Sequence, residues 1–266
     1  MRADSIYKSY AVDDRREPVL AGVSLTVGPG EFVSIIGPSG CGKSTLLNII
    51  AGLDQPDAGT VELDEQLDGR PVSDRLGRIG YMQQKDLLLP WRTVLDNAAL
   101  GLELQGVPRR QARRRVLEMT GLFGLTGFEY QYPFTLSGGM RQRAAFLRTM
   151  MLDRGVMLLD EPFGALDALT RVQMQEWLMD LWATLDKTII LITHDVDEAI
   201  LLSDRVYVLT SRPAQITMVL DVGLPRPRDF RQVTQPEFVN LKARLLMLLH
   251  DESSKQDSLH SGTRAQ

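Results

Sequence analysis

The chain has 266 residues, of which 44% are hydrophobic, and a formal net charge of -4. This length and composition are sufficient for a folded domain with a large core, and the acidic balance excludes the broad positive surface that collects nucleic acids. The single cysteine, Cys41, excludes an internal disulfide framework.

Bilayer-spanning and secretory segments are not predicted. No segment contains the roughly 20 consecutive apolar residues that cross a bilayer. The longest apolar runs, at residues 156–159 and 189–192, have the length of buried strands. The amino terminus lacks the apolar run of a secretory signal. We therefore expect the chain to stay in the cytoplasm, so that any action at a membrane requires a partner.

The first part of the chain is predicted to begin with short β-strands. Residues 5–12, 23–27 and 31–36 have β-rich patterns. The third strand ends at a glycine-rich turn, which is followed by a helix pattern over residues 43–53. This order of strand, turn and helix is typical of an α/β domain.

The middle of the chain is predicted to be mainly helical. After a strand at residues 78–82, the pattern turns helical over residues 93–125, with breaks at 106–108 and 121–127. We interpret this stretch as a helical insertion. The five arginines of residues 108–115 lie at helical spacing without interleaved aromatic residues, which favours a solvated helix face over a nucleic acid site.

Strands and helices then alternate, which predicts a parallel sheet flanked by helices. The predicted elements are strands at 156–160, 188–193 and 205–209 and helices at 169–185 and 196–202.

The composition changes at Pro225, where the sequence PRPRD begins. An amphipathic helix pattern covers about residues 238–250, and the polar residues 251–266 are predicted to be disordered. We therefore predict a main domain, a subdomain inserted in it and a C-terminal extension. Their boundaries are 1–224 for the main domain, with its core at 1–85 and 155–224, 86–154 for the helical subdomain, and 225–266 for the helix and tail.

The strongest local motif is GPSGCGKST, which lies between a predicted strand and a predicted helix. Its glycines allow successive backbone N–H groups to point at one anion, and the helix adds its positive end. Lys43 would reach the β- and γ-phosphates, and Ser44 would ligate Mg²⁺. Cys41 would contribute its backbone and not its thiol. The predicted nucleotide-binding residues of this loop are Gly37, Pro38, Ser39, Gly40, Cys41, Gly42, Lys43, Ser44 and Thr45.

Two acidic residues follow a predicted buried strand in VMLLDEP. Asp160 ends the strand, where it could hold Mg²⁺ through water. Glu161 is placed to accept a proton from the water that attacks the γ-phosphate, and to orient this water. The alternative is an acidic pair that starts a helix at Pro162.

A histidine also follows a predicted strand, in ITHDVDEA. His194 is then expected at the same sheet edge as Gly37 and Asp160. Taken alone, such a histidine is more often structural. The convergence of three strand ends favours a contact with the γ-phosphate.

The motif LSGGMRQR predicts a second helix start that could bind an anion. One triphosphate does not require two such sites. An ordinary glycine-rich cap would explain Gly138 and Gly139, but not the whole motif.

Together, GPSGCGKST, LSGGMRQR, LLDEPFGALD and ITHD resemble the motifs of the nucleotide-binding subunits of ATP-binding-cassette (ABC) transporters, over about residues 5–224. The resemblance implies an α/β P-loop NTPase core, with a mainly parallel sheet, an N-terminal antiparallel β part and an inserted α-helical subdomain. It also implies an ATPase that uses ATP and Mg²⁺ and works as a homodimer, in which each ATP lies between the phosphate loop of one subunit and the LSGG helix of the other. The signature residues that would act on the partner's ATP are Leu136, Ser137, Gly138, Gly139 and Met140.

The resemblance assigns further roles. Tyr10 matches the aromatic residue that stacks on adenine, although it could be only a strand-edge tyrosine. Gln84 matches the glutamine that contacts Mg²⁺ and the attacking water, with Gln83 as the alternative register. Asp167 matches an aspartate at the dimer interface. Thr135 stands where glutamine or glutamate is frequent, which puts a specific cross-interface contact in doubt at that position.

Residues 87–102 and 202–216 are similar to ATPases of bacterial importers for nitrate, sulfonates, taurine and pyrimidine precursors of thiamine. This similarity implies integral-membrane permease subunits, an extracytoplasmic solute-binding protein, no nucleic acid, and a location at the cytoplasmic face of the inner membrane through the permease. The alternatives are an exporter-type or lipoprotein-release cassette and a soluble cassette ATPase without a transport role. The apolar residues 87–91 are either part of the subdomain's own core or the edge of a groove for a permease helix.

Overall fold

The computed structural model describes residues 1–13, 15–63, 75–185 and 187–262. The chain forms two compact units. The first unit comprises Met1–Gly77 and Thr188–Gln266, and the second comprises Arg78–Lys187. The domain boundaries given above stay a prediction.

An antiparallel sheet opens the first unit. It contains β1 (Arg2–Val12), β2 (Arg15–Thr26) and β4 (Ala58–Glu62), in the order β2-β1-β4. β1 is antiparallel to both neighbours, and buried Ala3 and Ile6 mark its inner face. The antiparallel β part that the sequence predicts is therefore present.

The parallel strands of the first unit hold its core. β3 (Phe32–Ile36) pairs in parallel with β7 (Thr188–Ile192) on one side and with β8 (Arg205–Leu209) on the other. All residues of β3 and β7 are buried, as expected for parallel strands covered on both faces. β9 (Ile216–Asp221) then pairs with β8 in antiparallel orientation.

In the described part of the first unit, the α-helices are α1 (Lys43–Ala51), α6 (Val196–Leu202) and α7 (Pro236–Gly262), with a 3-10 helix at Phe230–Thr234. α7 differs from the prediction, because it continues twelve residues past residue 250, through a stretch that we expected to be disordered. Extending an existing helix is easier than starting one, and residues 251–262 contain no proline. Polar composition alone was therefore an insufficient reason to end this helix.

The second unit contains a parallel strand pair and the predicted helical insertion between its strands. The strands are β5 (Gly80–Met82) and β6 (Val156–Asp160). The helices are α2 (Val94–Leu104), α3 (Arg109–Thr120), α4 (Gly138–Met150) and α5 (Ala168–Thr184), with a short 3-10 helix at Pro133–Thr135. Among the described residues, no helix combines the length and apolarity that crossing a membrane demands.

Candidate functional site

The phosphate loop connects β3 to α1 in the first unit. The Lys43 ammonium is buried and donates to the carbonyl oxygens of Gly37 at 2.9 Å and Pro38 at 3.0 Å. Gly42 has a φ of 120°, and a Cβ atom there would lie 2.7 Å from Cγ1 of Val19. Only glycine fits at this position, so the loop has the tight conformation that the motif predicts.

The amino end of α1 has the properties of an anion site. Gly42 precedes the helix without a capping side chain, and the first turn contains no acidic residue. The first turn of a helix has backbone N–H groups without intrahelical partners and a partial positive charge. Ser44, in this turn, is exposed. The loop and helix can therefore surround a phosphate.

Cys41 lies within the loop with its side chain buried. Burial raises the pKa of its thiol, so the sulfur stays protonated and is a poor nucleophile. Its backbone N–H donates to the Pro38 carbonyl at 3.3 Å. The placement agrees with the expectation that Cys41 does not use its thiol.

Tyr10 is held near the phosphate loop with part of its ring exposed. Its hydroxyl donates to Asp54 Oδ2 at 2.7 Å, and its side chain also hydrogen-bonds Thr45. Lys8 donates to the other oxygen of Asp54 at 2.6 Å and lies 5.1 Å from the Tyr10 ring centroid. Burial and the Asp54 hydrogen bond raise the pKa of Tyr10. A fixed, 39% exposed ring beside the loop suits stacking on a base.

His194 follows β7 and is exposed. The parallel register pairs Ile35 with Ile192, so the phosphate loop and His194 follow adjacent strands at the same sheet edge. The next residue, Asp195, caps α6 by accepting hydrogen bonds from the backbone N–H groups of Asp197 at 2.9 Å and Glu198 at 3.2 Å. The first unit thus brings together Tyr10, the phosphate loop and His194.

The second unit carries the acidic residues. Asp160 is buried at the end of β6 and accepts a hydrogen bond from Tyr81, whose pKa is raised by burial and by the Asp160 charge. Glu161 follows with a φ of 46°, a left-handed conformation that costs a residue with a side chain about 1–2 kcal/mol. Such strain is typical of functional positions.

Gln84 contacts the predicted base directly, because its Nε2 donates to Glu161 Oε2 at 3.2 Å. This bond leaves the side-chain oxygen of Gln84 available for a second role. The contact supports Gln84 over Gln83 as the functional glutamine of the loop after β5.

The signature motif forms the start of α4. The Ser137 hydroxyl caps the helix by accepting from the Met140 N–H at 3.3 Å. A Cβ atom on Gly139 would lie 2.9 Å from Cγ2 of Thr170, so a side chain does not fit there. Leu136 is buried, whereas Ser137 is exposed. α4 therefore presents a second exposed helix start that is suited to an anion.

Asp167 lies close in sequence to the residues that pack on the signature glycines. It caps α5 by accepting from the Thr170 N–H at 3.0 Å and from the Thr170 hydroxyl at 2.6 Å. These hydrogen bonds lower the pKa of its fully exposed carboxyl group. Capping of α5 is enough to explain an aspartate at residue 167. The exposure of Asp167 also suits the predicted role at the dimer interface.

The motifs do not reveal every residue that shapes the site. Arg148 of α4 donates at 2.6 Å to the carbonyl oxygens of both Asp86 and Leu87, and so holds the loop after Gln84. Arg212 donates to the Gly40 carbonyl at 2.6 Å. The sequence could have indicated Arg212. This residue follows the end of β8, which is parallel to β3, so it is expected at the same sheet edge as the phosphate loop.

The residues predicted to hold Mg²⁺ supply a hydroxyl, an amide oxygen and a carboxylate from Ser44, Gln84 and Asp160. Hard oxygen ligands of this kind fit Mg²⁺. Among the described residues, no group of three or more His, Cys, Asp or Glu side chains is arranged to hold a metal ion.

The apolar segment after Gln84 divides into buried and exposed residues. Leu88 is 7% exposed, which assigns it to the core of the second unit. Trp91 is 71% exposed, which is unusual for tryptophan. Leu88 is therefore a core residue, whereas Trp91 leaves an apolar side chain on the surface.

Comparison with known proteins agrees with this geometry. The ABC transporter family model matches residues 20–164. The formylaminopyrimidine import ATP-binding protein ThiZ of Halalkalibacterium halodurans is 42% identical over 238 residues, which cover 89% of this chain and 92% of that protein. The taurine import ATP-binding protein TauB of Yersinia pestis bv. Antiqua is 46% identical over 207 residues, which cover 78% of this chain and 80% of that protein.

A solved structure is similar as well. It is a dimeric ATP-binding cassette in a post-hydrolysis state, bound to ADP and Pi. The TM-score is 0.70 at 31% identity, and the match covers 83% of this chain and 98% of that one. These relatives confirm the predicted P-loop NTPase fold and the predicted ATPase activity. The chain therefore belongs to the ABC transporter family, as one of its ATP-binding, ATP-hydrolysing subunits.

Proposed function

We propose that this chain powers a bacterial ABC importer as a homodimer that closes around two ATP molecules. The observation that carries the proposal is the presence of two helix starts suited to phosphate, at Lys43 in the first unit and at Ser137 in the second. A two-fold dimer uses both, because the same pair of surfaces then meets twice. The dimeric solved relative supports this arrangement.

The phosphate loop binds ATP in the proposed reaction. The Lys43 ammonium exchanges its loop carbonyls for the β- and γ-phosphates, while the first turn of α1 donates backbone N–H groups. Mg²⁺, held by Ser44, the Gln84 amide oxygen and, through water, Asp160, would neutralise charge on the phosphates. Tyr10 stacks on the adenine.

Hydrolysis requires a positioned water molecule. Glu161 orients the water and accepts its proton, and the Gln84 Nε2 contact fixes the carboxylate for this role. His194 contacts the γ-phosphate and stabilises the charge that develops there. The signature residues of the second subunit, which include Ser137, complete the site. Asp167 lies at the interface between subunits.

The membrane partner is proposed to be a permease, with a solute-binding protein outside the membrane. The exposed Trp91, next to the Gln84 loop that Arg148 holds, would contact a cytoplasmic helix of the permease. The transported solute is then a nitrate-, sulfonate- or taurine-like anion or a thiamine pyrimidine precursor. Two relatives are named for import of taurine and of formylaminopyrimidine, which favours the taurine-like and pyrimidine solutes. The subunit would then work at the cytoplasmic face of the inner membrane.

Replacing the proposed base tests this mechanism. Glu161→Gln should retain ATP binding, lower turnover by about 100-fold or more, and accumulate an ATP-dependent dimer. Turnover and size-exclusion elution with ATP and Mg²⁺ measure both effects, and Glu176→Gln, on exposed α5 surface, is the matched control. Near-normal turnover of the Glu161 variant would exclude the assigned base.

A second experiment separates the importer from the alternatives. The chain is purified from its own host, and the copurifying permease is identified. An importer-type permease supports the proposal, whereas an exporter or lipoprotein-release complex, or no membrane protein, contradicts it.

A further inference from the structure

The C-terminal extension contacts both ends of α6, the helix that follows His194. α6 has only seven residues, so it is about 10 Å long. Its amino end is capped by Asp195, directly after His194. A short helix of this kind transmits a displacement of one end to the other, because it has no internal flexible point.

The carboxyl end of α6 is held by a buried arginine of the extension. Arg228 is 6% exposed, and its Nη1 donates to the carbonyl oxygens of Ile200 at 3.0 Å and Ser203 at 2.5 Å. Its Nε and Nη2 donate to the Leu224 carbonyl at 3.2 and 2.9 Å. The last carbonyl groups of a helix lack intrahelical hydrogen-bond partners, and here the Arg228 guanidinium supplies the donors.

A second arginine strengthens this attachment. Arg226 donates to the Leu202 carbonyl at 2.8 Å and to Asp204 Oδ1 at 2.8 Å. The other oxygen of Asp204 accepts from the N–H of Phe32, the first residue of β3, at 3.0 Å. β3 leads into the phosphate loop. The same attachment point therefore contacts α6 and the strand that precedes the ATP site.

The extension also contacts the amino end of α6. Lys242 of α7 donates to Asp197 Oδ2 at 2.8 Å, within the first turn of α6. Phe238 and Leu245 of α7 are fully buried, and α7 packs on α6. Residues 225–245 thus fix the helix at both ends.

Arg228 is charged, so apolar packing of the extension does not explain why an arginine stands at this position. Burial and the nearby Arg226 lower the pKa of Arg228 to about 10, so the buried guanidinium is charged at neutral pH. Burying a charge is unfavourable unless its hydrogen bonds are satisfied. An apolar residue would anchor the extension without this cost, whereas only a planar set of donors fixes several carbonyl groups in one orientation.

We propose that Arg228 is a positioning residue for ATP hydrolysis, which fixes the orientation of α6 and thereby places His194. The inference rests on the proposed contact between His194 and the γ-phosphate. It assigns the C-terminal extension a role in turnover in addition to its role in packing.

Turnover and ATP binding should separate in Arg228 variants of the full chain. Arg228→Gln should lower kcat about tenfold, because a small misplacement of a catalytic group has effects of this size or larger. The Kd for ATP should stay within about twofold, since the phosphate loop keeps its own contacts. Arg228→Lys, which keeps the charge but not the planar donors, should be intermediate. Arg231→Gln is the matched control, since its 90% exposed side chain in the same segment binds Asp229.

A double-mutant cycle distinguishes positioning from general destabilisation. In a His194→Ala background, measured by single turnover with enzyme in excess, Arg228→Gln should cause no further loss of rate. An equal loss in both backgrounds, or an unchanged kcat in the single variant, overturns the inference. If Arg228→Gln melts below the assay temperature, the cycle is run with Arg228→Lys. Normal turnover of His194→Ala alone would instead contradict the proposed role of His194.

Discussion

The lysine of the phosphate loop is held by its own loop before it meets a phosphate. Lys43 donates to the carbonyl groups of Gly37 and Pro38, so its ammonium is already placed above the loop. Little side-chain entropy remains to be lost when ATP binds. This preorganisation explains why the residue should matter for ground-state affinity and not only for the rate.

Lys43→Ala should therefore lose ATP affinity by about 10- to 100-fold, the range expected for hydrogen bonds to a charged group. Isothermal calorimetry with ATP measures the change. Lys187→Ala is the matched control, because Lys187 pairs with the exposed Asp153 outside the loop. Tight ATP binding by the Lys43 variant would contradict the assigned phosphate contact.

The Asp96 carboxylate connects α2 to the arginines of α3. Arg113 binds it through two nitrogens at 2.8 and 2.9 Å, and Arg109 adds a contact at 3.3 Å. Burial raises the pKa of Asp96, but the hydrogen bonds and charges of Arg113 and Arg109 outweigh burial and hold the pKa below its usual value. The arginine run is thus partly structural, and not only the solvated face that its spacing predicts.

Asp96→Asn should destabilise the chain by about 1–3 kcal/mol at pH 7. A lowered carboxyl pKa stabilises the fold above the unfolded pKa of about 4, and this contribution is lost as the pH falls through the lower folded value. The stabilities of wild type and variant should therefore converge in acid. Urea unfolding of wild type and variant at pH 7 and in acid measures the difference in stability, with the exposed Asp180→Asn as control. A difference that persists unchanged at low pH would exclude the ion pair as its cause.

The motifs predict residue roles, and these roles stay predictions. The phosphate loop, Glu161 and the signature serine are identified by type and spacing, and the structure gives them suitable geometry. Arg148 and Arg228 could not be predicted in this way, because their partners are backbone carbonyl groups. Every residue offers a carbonyl, so the sequence does not reveal which one an arginine reaches.

Among the elements, β6, α6 and β8 have the bounds that the sequence predicts. Each has an uninterrupted apolar or amphipathic pattern with clear end signals. β4 and β9 were missed, for related reasons. β4 contains Gly59 and has one buried residue, and β9 is buried only at Leu220. Such strands are specified by the neighbour with which they pair, and pattern analysis of the strand alone does not find them.

The loop between β5 and α2 contains a buried leucine and an exposed tryptophan, for which we propose different roles. Leu88→Gln should destabilise the second unit by about 2–4 kcal/mol, because it places an amide in an apolar site. Trp91→Gln should change stability by less than about 0.5 kcal/mol, because the side chain is exposed, yet should abolish permease copurification. Thermal melts, ATP binding and pull-downs from membranes measure these effects. A stable Leu88 variant, or a Trp91 variant that still assembles, would contradict this division.

For the whole molecule, the sequence predicted the family and fold, and the relatives confirm both. The relation between one chain and its partner is not determined by the motifs of a single chain. Lys43 and His194 belong to the first unit, and Glu161 and Ser137 belong to the second. In the proposed dimer, Ser137 completes the ATP site of another chain.

Disulfide crosslinking between differently tagged chains shows whether Ser137 of one chain lies at the phosphate loop of the other. One chain carries Ser39→Cys and the other Ser137→Cys, both with Cys41→Ser to remove the native thiol and Glu161→Gln to retain ATP. A composite site should give an ATP-dependent crosslink between the two chains, and none when Ser24→Cys, exposed on β2, replaces Ser137→Cys. No ATP-dependent crosslink between the two chains, together with an internal crosslink in a third variant that carries Ser39→Cys and Ser137→Cys in one chain, would contradict the composite site.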